Sequence, residues 1–587
     1  MLKHSSRGIT LIHEYDALII GAGGAGLFAA LEAGQSARTA VLSKLYPIRS
    51  HTGAAQGGIS AALGNIEEDK PEWHAFDTVK GGDYLVDQNA AVILAETAVQ
   101  AVYDLENRGL PFNRTPEGLI DQRRFGGHTR NFGEALVRRA CYAADRTGHM
   151  ILQTLYQQCI KNDVSFFNEF QIIDIIFREK KCGGVVAVEL ATGNIHFFKA
   201  KAVLFATGGF GRMFGITSNA YANTGDGPAL LLRKGVPLED MEFFQFHPTG
   251  IYGMGILITE GVRGEGGILR NRSRDRFMEK YAPGLLDLAP RDMIARAIMT
   301  EISAGMGIKG DRSITDFVHL DATHLGRDVI EEKLPEIAEF SRTYLGIDPV
   351  EKPIPVQPTA HYAMGGIPTD ENGRVIGVGG TVYEGLYAAG ECACVSVHGA
   401  NRLGTNSLVD LVVFGKRAGM DMAKFVKESG HLSLPENTVN AAKEKIARLM
   451  KPGKSPEPEA IRSRMKQLMT ENIGVYRSGK NMAAALENLK TLREDYMQAR
   501  IRDTGKSFNT NLLEILELGN LLDLAYVTAA CAVRREESRG AHARMDFPNR
   551  DDKNWLHHTL ARLRGNEISI DTKPVEITKW EPKPRIY

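Results

Sequence analysis

The chain has 587 residues, which is too long for one hydrophobic core, so we expect several domains. Lysine plus arginine (71) equals aspartate plus glutamate (71), so no overall field recruits nucleic acid or an anionic membrane, and an anionic ligand needs a local cluster of cations. The six cysteines contain no iron–sulfur or zinc ligand spacing and no disulfide framework, which favours a reducing compartment.

The first elements predict a βαβ unit. Residues 1–13 are interpreted as a tail, residues 15–20 as a strand that ends at a glycine-rich turn, and residues 27–35 as a helix before a second strand at 39–43. The segments 201–211 and 385–392 repeat the pattern of a strand followed by glycines. Because parallel strands end at one edge of a sheet, the three glycine-rich ends predict several loops around one ligand.

The rest of the chain predicts three further regions. Residues 240–350, rich in glycine, arginine and aromatic residues, predict a domain inserted into a Rossmann-like domain formed by 1–240 plus 350–430, with a cleft between the two. Residues 435–540 predict a helical bundle. Its most apolar stretch, 512–533, contains three acidic residues, which favours a soluble helix over a membrane span. Residues 541–587 predict an ordered, loop-rich segment, so the fold class is α/β with these additions.

The turn "GAGGAG" (21–26) is typical of dinucleotide binding. Glycines at its first, third and sixth positions suit the tight turn, the approach of a pyrophosphate and helix packing, although such a turn can also be purely structural. The acidic residue expected about 20 residues later is replaced by Ser43 and Lys44, which weakens an NAD interpretation and suits phosphate or a rearranged ribose contact. Asp226 in "NTGDG" is a candidate ribose ligand, or a surface-turn aspartate.

The loop "IRSHTGAAQGGIS" (48–60) places His51 among very small residues after the second predicted strand. If the glycine turn holds the pyrophosphate of FAD, this loop reaches the isoalloxazine ring, and the small residues allow close contact. The alternative is a loop histidine that hydrogen-bonds a carbonyl group.

The motifs "GAGGAG", "SKLYPIRSHTGAAQGGI", "QFHPTG", "TEGVRGEGG", "PTAHYAMGGI" and "HGANRLGTNSL", in this order, resemble the flavoprotein subunits of succinate dehydrogenase and fumarate reductase over nearly the whole chain. The resemblance implies that the Rossmann-like domain binds FAD, that the inserted domain is a capping domain, and that FAD is covalent through His51. Gly53 departs from the valine of the family. The implied cofactor-binding residues are Gly21, Ala22, Gly23, Gly24, Ala25, Gly26, Ser43, Lys44, His51, Thr52, Gln56, Gly57, Gly58, Asp226, Glu391, Ser407 and Leu408.

A four-carbon dianion needs cations or donors at both ends, and arginine offers bidentate geometry. By resemblance the substrate-binding residues are His247, Thr259, His361, Arg402 and Phe125. Taken singly, each has another reading: a core histidine, a strand hydroxyl, a surface ion pair or a core phenylalanine.

The resemblance assigns proton removal to Arg291 of "PRD", relayed through Glu260 and Arg263, with no metal. Arginine is a weak acid, so its neutral form would be transient. The alternative for Arg291 is an ion pair with Asp292 at a helix start.

The implied function is oxidation of succinate to fumarate, the step shared by the tricarboxylic acid cycle and electron transport, by hydride transfer to FAD. Electrons then pass to an iron–sulfur subunit and, through membrane-anchor subunits, to quinone. The implied location is the cytoplasmic face of a bacterial inner membrane, or the matrix side in a mitochondrion. Partner subunits would hold the chain there, because the chain itself is expected to have no membrane span.

Several alternatives remain from the sequence. Gln56 favours the dehydrogenase over fumarate reductase, which tends to carry glutamate there, and His51 argues against L-aspartate oxidase. A non-catalytic flavin-binding subunit and an NAD-linked dehydrogenase are the readings from other classes.

Overall fold

The computed structural model describes residues 10–313, 315–434, 438–451, 453 and 456–586. The α-helices are α1 (Gly24–Gly34), α2 (Pro71–Gly81), α3 (Gln88–Asn107), α4 (Thr147–Lys161), α5 (Asp226–Arg233), α6 (Gly261–Gly264), α7 (Met278–Tyr281), α8 (Arg291–Ser303), α9 (Arg327–Lys333), α10 (Pro335–Phe340), α11 (Asn406–Glu428), α12 (Asn440–Met450), α13 (Pro458–Asn472), α14 (Gly479–Gln498), α15 (Thr510–Arg534) and α16 (Asp552–Trp555).

The strands are β1 (Thr10–Ile20), β2 (Thr39–Ser43), β3 (Ile59–Ser60), β4 (Gln122–Arg130), β5 (Ala135–Cys141), β6 (Ser165–Asn168), β7 (Phe170–Arg178), β8 (Lys181–Glu189), β9 (Ile195–Phe205), β10 (Leu238–Glu239), β11 (Phe244–Ile251), β12 (Ile268–Arg270), β13 (Val318–Asp321), β14 (Ile354–Ala363), β15 (Ile367–Pro368), β16 (Arg374–Ile376), β17 (Val382–Ala388), β18 (Ala393–Cys394), β19 (Tyr476–Arg477), β20 (Ala543–Arg544), β21 (His557–Arg564) and β22 (Glu567–Pro574).

The main sheet has eight strands, in the order β16-β17-β8-β9-β1-β2-β6, with β7 paired to β8. Strands β1, β2, β6, β9 and β17 are mutually parallel where they pair, and α1 and α11 pack together against them. The loops after β1, β9 and β17 therefore leave the sheet at one edge, which confirms the expected convergence of the three glycine-rich ends.

The prediction of a tail over residues 1–13 is wrong for residues 10–13, and residues 1–9 lie outside the described residues. Residues 10–13 form the start of β1, where Thr10 pairs with Ile195 and His13 with Phe198. Leu11 and His13 are half-buried and Ile12 is exposed, and Glu14 separates them from the apolar run at 15–20 by which we recognised the strand. Their strand conformation is therefore stabilised by pairing with β9, which the local sequence does not indicate.

A second sheet has the order β11-β14-β13-β12. Strands β11, β12 and β13 lie in the region predicted as inserted, whereas β14 lies just beyond its predicted end at residue 350. Its core is separate from that of the main sheet and includes Ile251, Ile258, Leu269, Ile298 and Val356, all fully buried. The predicted domain boundaries themselves stay a prediction.

Four helices, α12 to α15, occupy the region predicted as helical, and residues 435–437, at its predicted start, lie outside the described residues. Their apolar faces join the main sheet in one continuous cluster of buried side chains. One helix in the described part of the chain, α15, is long and apolar enough to cross a membrane, but 89% of its most apolar window is buried inside the protein. This is the arrangement of a core helix.

The segment 541–587 is less loop-rich than predicted, because β21 and β22, of eight residues each, form an antiparallel hairpin that pairs with β10. The two strands are joined by Gly565 and Asn566, with Gly565 at a φ of 62°. A Gly-Asn pair between two alternating segments is a recognised hairpin signal. The high charge of both strands obscured it in the sequence.

A buried ion network fastens this hairpin to the main domain. The imidazole of His558 lies 2.6 Å from a carboxylate oxygen of Asp240 and 3.1 Å from one of Asp87, and Lys573 lies 2.7 Å from Glu239. Glu239, Asp240 and His558 are the one group with metal-ligand geometry found among the described residues, but their ligand atoms already pair with one another and with Lys573. Burial opposes protonation of His558, yet Asp240 and Asp87 outweigh it and raise its pKa to about 10.

We expect this network to make stability fall with alkaline pH. A pKa raised from 6.5 to about 10 gives stability that is fully present below pH 6.5 and is lost as the pH rises toward 10, by up to about 1.4 kcal/mol for each pH unit. The melting temperature should therefore drop more between pH 7 and 9.5 in the wild type than in His558→Gln. His149→Gln, on α4, is the control and should behave as the wild type. Equal drops in the wild type and His558→Gln would contradict the assignment.

Candidate active site

A cavity of about 460 Å³ lies where the loops of the main sheet face the second sheet. Every residue predicted for the site lines it except Gly26 and Arg263, each of which lies directly behind a lining residue. The lining set is Gly21, Ala22, Gly23, Gly24, Ala25, Ser43, Lys44, His51, Thr52, Gln56, Gly57, Gly58, Phe125, Asp226, His247, Thr259, Glu260, Arg291, His361, Glu391, Arg402, Ser407 and Leu408.

The glycine turn brings β1, β9 and α1 closer than other residues allow. A Cβ on Gly21, which has a φ of 109°, would lie 2.2 Å from the carbonyl oxygen of Ala206, and a Cβ on Gly26 would lie 2.0 Å from that of Gly21. Helix α1 therefore starts at the cavity wall, where its first N–H groups suit a phosphate. Thr52 supports this end by accepting a hydrogen bond from Gly24 N at 3.0 Å.

Lys44 is held by carboxylates, and this differs from the phosphate contact that the sequence suggested. Its ammonium group lies 2.9 Å from Asp226 and 2.6 Å from Glu517 on α15, and donates to Thr224 at 2.8 Å. Burial opposes the charge, but the two carboxylates keep the pKa of Lys44 raised. Asn520 donates to Asp226 at 2.8 Å. This network orients Asp226 at the cavity wall. The sequence did not indicate Glu517 and Asn520, because they lie about 290 residues from Asp226 along the chain, on a core helix.

His51 lies in a short 3-10 helix, His51–Ala54, beside the cavity. Its Nδ1 is buried and has no hydrogen-bond partner among the described residues, so the alternative of a histidine tied through this atom to a carbonyl is not supported. Burial lowers the pKa of His51 to about 4, which keeps the imidazole neutral at physiological pH. A neutral imidazole has the free lone pair of a nucleophile.

The wall after His51 is built to accept a flat ring. A Cβ on Gly57 would lie 3.0 Å from the ring of Phe125, which is buried. Arg123 donates to the carbonyl oxygen of Gln56 at 2.7 Å, while the side-chain Oε1 of Gln56 is buried without a partner. The missing side chains and the free amide oxygen fit a large planar ligand with N–H groups, such as the isoalloxazine of FAD.

Two buried arginines meet opposite this wall. Arg291 NH1 and Arg402 NH2 both donate to the side-chain oxygen of Gln245, at 3.1 and 3.2 Å. Arg402 is 2% exposed, which contradicts a surface ion pair. Burial, followed by the charge of Arg291, lowers the pKa of Arg402 to about 9.

Glu260 connects Arg291 to the protein behind it. Its Oε2 accepts from Arg291 Nε at 2.8 Å, its Oε1 accepts from Gly126 N at 2.7 Å, and Arg263 lies 3.8 Å away. Burial opposes ionisation, but Arg291 and Arg263 lower the pKa of Glu260, which stays an anion. Asp292 pairs with Arg296 and Arg585, so the alternative ion pair between Arg291 and Asp292 is not formed.

Two histidines and a threonine complete the cationic side of the cavity. The rings of His247 and His361 lie 5.1 Å apart, and Ser218 contacts His361 Nδ1 at 2.8 Å. Burial, followed by the charge of Arg291, lowers both pKa values well below the usual range, so both rings are neutral. Thr259 is buried at the cavity wall.

At another part of the wall, Glu391 accepts from Ala363 N at 3.1 Å, and burial raises its pKa to about 7. Ser407 and Leu408 line the cavity from the first turn of α11, which is preceded by Thr405 at a φ of 63°. The carboxyl group of Glu391 and the N-terminal N–H groups of α11 are therefore positioned to bind the cofactor.

Gln245 is the main residue that the sequence interpretation missed. It lies two residues before His247 on β11, where alternate side chains of a strand share a face, and this spacing was the available signal. Its Nε2 donates to Asn401 Oδ1 at 2.9 Å and to the carbonyl oxygen of Arg402 at 2.7 Å, so the amide orientation is fixed by two acceptors.

The glycine turn allows a test of the dinucleotide site. Gly26→Ala should lose bound dinucleotide and lower the free energy of unfolding by about 1–3 kcal/mol, because its methyl group would collide with the Gly21 carbonyl. Gly34→Ala, in the same helix, meets Val164 at 3.4 Å and is the matched control, expected to bind normally. Cofactor released per chain and urea unfolding are the measurements. Full cofactor content in Gly26→Ala would contradict the prediction, because the turn would then accommodate a methyl group at residue 26 and still bind the dinucleotide.

Comparisons with known proteins agree with this site. The family described as FAD binding domain matches residues 16–408, and the family described as fumarate reductase flavoprotein C-term matches residues 462–587. The succinate dehydrogenase flavoprotein subunit of Coxiella burnetii is 50% identical, covering 98% of this chain and 99% of that protein. The mitochondrial succinate dehydrogenase [ubiquinone] flavoprotein subunit of Oryza sativa is 45% identical over 100% of this chain and 95% of that protein.

Solved structures give the same result. A variant of the E. coli quinol fumarate reductase flavoprotein superposes with a TM-score of 0.93 at 39% identity, covering 98% of this chain and 99% of that one. Adenylylsulfate reductase of Archaeoglobus fulgidus, with a TM-score of 0.77 at 19% identity, shares the fold alone. The chain is therefore an FAD-binding protein and belongs to the family of succinate dehydrogenase and fumarate reductase flavoprotein subunits.

Proposed function

We propose that this chain is the flavoprotein subunit that oxidises succinate to fumarate with FAD. The observation that carries the proposal is the buried pair of guanidinium groups, Arg291 and Arg402, which share the oxygen of Gln245 and face the cavity lined by the glycine turn. Relatives at 45–50% identity over nearly the whole chain bear the name of this enzyme.

The charge of the pocket matches a dicarboxylate. Around Glu260, the guanidinium groups of Arg291, Arg402 and Arg263 carry three positive charges and Glu260 carries one negative charge, so these four groups have an excess of two positive charges. His247 and His361 add no charge, because their pKa values are lowered, but they offer ring nitrogens for hydrogen bonds. A diacid of charge −2 neutralises the excess, and planar guanidinium groups suit its carboxylates.

The same residues can remove a proton. When bound, FAD supplies the two-electron acceptor for the carbon that is oxidised. Arg291 faces the cavity and takes the proton from the neighbouring carbon. A guanidinium is a weak acid, so its neutral form is made by transfer of a proton to Glu260, 2.8 Å away. In this proposal Arg263, 3.8 Å from Glu260, takes the proton from Glu260 as it releases one of its own N–H protons toward solvent, so that its charge does not change. Arg263 is held by a hydrogen bond to the carbonyl oxygen of Asp287 at 2.5 Å.

FAD is covalently attached through His51 in this proposal. The unpartnered Nδ1 and the lowered pKa of His51 support it. At Gly53, where the family has valine, an added Cβ would contact Leu152 at 3.4 Å, so a side chain there has little room. Acid-precipitated chain on a denaturing gel should retain yellow fluorescence, and His51→Ala should lose it. A fluorescent His51→Ala band would place the link elsewhere.

Partner subunits complete the electron route. All six cysteines are buried and form no disulfide bond, and their spacing does not match the ligands of an iron–sulfur cluster. Relatives are named as subunits, which supports a larger complex. In this proposal an iron–sulfur subunit takes the electrons and membrane-anchor subunits pass them to quinone, holding the chain at the cytoplasmic face of a bacterial inner membrane or the matrix face of a mitochondrial one.

The direct test of the function is reduction of the purified holoprotein by succinate. Succinate should bleach the flavin absorbance, malonate should prevent bleaching, and an artificial dye should support turnover where quinone does not. A flavin-loaded protein that neither oxidises succinate nor reduces fumarate would refute the proposal. The ratio of succinate oxidation to fumarate reduction, with Gln56→Glu as the comparison, tests the preference for the dehydrogenase direction over fumarate reductase.

Arg291→Lys should retain FAD and lose turnover by several orders of magnitude, because a point charge cannot hold Glu260 and Gln245 together as the guanidinium does. Turnover per bound flavin with saturating succinate is the measurement. Arg270→Lys, which alters a partly exposed arginine paired with Asp321, is the control and should remain active. Near-normal turnover in Arg291→Lys would show that another group accepts the proton.

A further inference from the structure

The segment after β22, residues 575–586, runs along the protein surface as an arm. Its course is fixed at Gln88, the first residue of α3, whose Oε1 accepts from the backbone N–H groups of residues 578–580 at 2.8–3.0 Å. Gln88 also donates to the carbonyl oxygen of Trp580 at 2.7 Å, and the Trp580 ring lies 5.8 Å from that of Phe76 on α2. The arm is thereby aligned along α2.

The arm ends in a buried charge. The Arg585 side chain is 7% exposed; its NH2 group forms a short ion pair with Asp292, and its NH1 donates to the carbonyl oxygen of Gly81 at 3.1 Å. Asp292 also pairs with Arg296 at 2.9 Å. Burial opposes ionisation of Asp292, but Arg585 and Arg296 keep its pKa lowered. One guanidinium therefore joins the end of α2 to the first turn of α8.

That first turn carries Arg291. Helix α8 begins at Arg291, and Asp292 is the next residue, so the Arg585 contact lies one peptide unit from the backbone of the proposed proton acceptor. Pro290, with a φ of −53° and a ψ of 147°, precedes the helix and stiffens its entry. Movement of this turn would move the Arg291 guanidinium relative to Glu260.

A second route leads from Arg585 to the same place. The carbonyl oxygen of Gly81 also accepts from Asn401 Nδ2 at 3.2 Å, and Asn401 Oδ1 accepts from Gln245 Nε2 at 2.9 Å. Gln245 in turn receives Arg291. The arm thus contacts both the backbone that carries Arg291 and the hydrogen-bond chain that receives its side chain.

We propose that Arg585 is a positioning residue for Arg291: its contacts with Asp292 and Gly81 fix the first turn of α8 where Arg291 reaches Glu260 and Gln245. This rests on the proposed function, in which Arg291 accepts the proton. Errors of about 1 Å in such a group cost roughly 100-fold in rate, so a contact far from the chemistry can control turnover. The conclusion links the C-terminal segment to catalysis.

The test compares Arg585→Ala with Lys579→Ala in the holoprotein. Lys579 lies on the same arm, half exposed, 3.9 Å from Glu72 and away from α8. With turnover counted per bound flavin, we expect Arg585→Ala to lower kcat by about 10–100-fold with KM changed less than threefold. Succinate deuterated at both methylenes should show a larger isotope effect on kcat than in the wild type, because proton removal becomes limiting. Lys579→Ala should match the wild type in both.

Other results of this comparison would overturn the proposed role of Arg585. A kcat per flavin within twofold of wild type in Arg585→Ala, or an equal loss in Lys579→Ala, would overturn the proposal. If Arg585→Ala cannot hold flavin, Arg585→Lys decides: a lysine can pair with Asp292 without also reaching Gly81, so kcat should fall at least threefold, and an unchanged kcat would overturn it. Arg291→Lys in parallel separates the two claims. If it is active, the proposed proton acceptor fails; if it is inactive while Arg585→Ala is normal, only this inference fails.

Discussion

The site depends on one shared acceptor: the amide oxygen of Gln245, which binds the guanidinium groups of both Arg291 and Arg402. Two like charges at close range in a buried site repel each other, and desolvation adds to the cost. Glu260 offsets one charge, and the amide orients both groups without neutralising either. What remains is a pocket with excess positive charge, and in the proposed function this charge selects a small diacid, because a dianion neutralises it.

The fold makes this arrangement usable for redox chemistry, because the charged pocket and the dinucleotide turn open into one cavity. The main sheet supplies the turn and the His51 loop, the second sheet supplies His247, the start of α6 supplies Glu260, and α8 supplies Arg291. Small residues at Gly57 and Gly58 leave the wall flat, and Phe125 supports it from behind. In the proposed function, substrate and flavin meet where these two separately built cores face each other, and the proposed role of Arg585 depends on its contact with the first turn of α8.

Much of the fold followed from local signals, whereas the substrate and catalytic residues were predicted from the resemblance to the family, because each of them taken singly has another interpretation. The strand at 39–43 was predicted to the residue, and the three glycine-rich strand ends converge as expected, because turn chemistry and apolar runs are encoded locally. The start of β1 and the hairpin β21–β22 did not, because the short segment 10–13 and the charged strands of the hairpin are stabilised by pairing partners distant in the chain. The same holds for Gln245, Glu517 and Arg585. Each gains its role from a contact formed only in the folded chain. The spacing of Gln245 to His247 indicates a shared strand face, but it does not indicate an oxygen shared by two arginines.

The most direct test of the central claim is a calorimetric titration of the holoprotein with malonate and with its monomethyl ester. A buried pocket with two excess positive charges should bind the dianion and bind the monoanion at least 100-fold more weakly, because one guanidinium group then stays unpaired in a dry site. Comparable affinity for the two ligands would contradict the account, since the arginines would then not act together on a diacid.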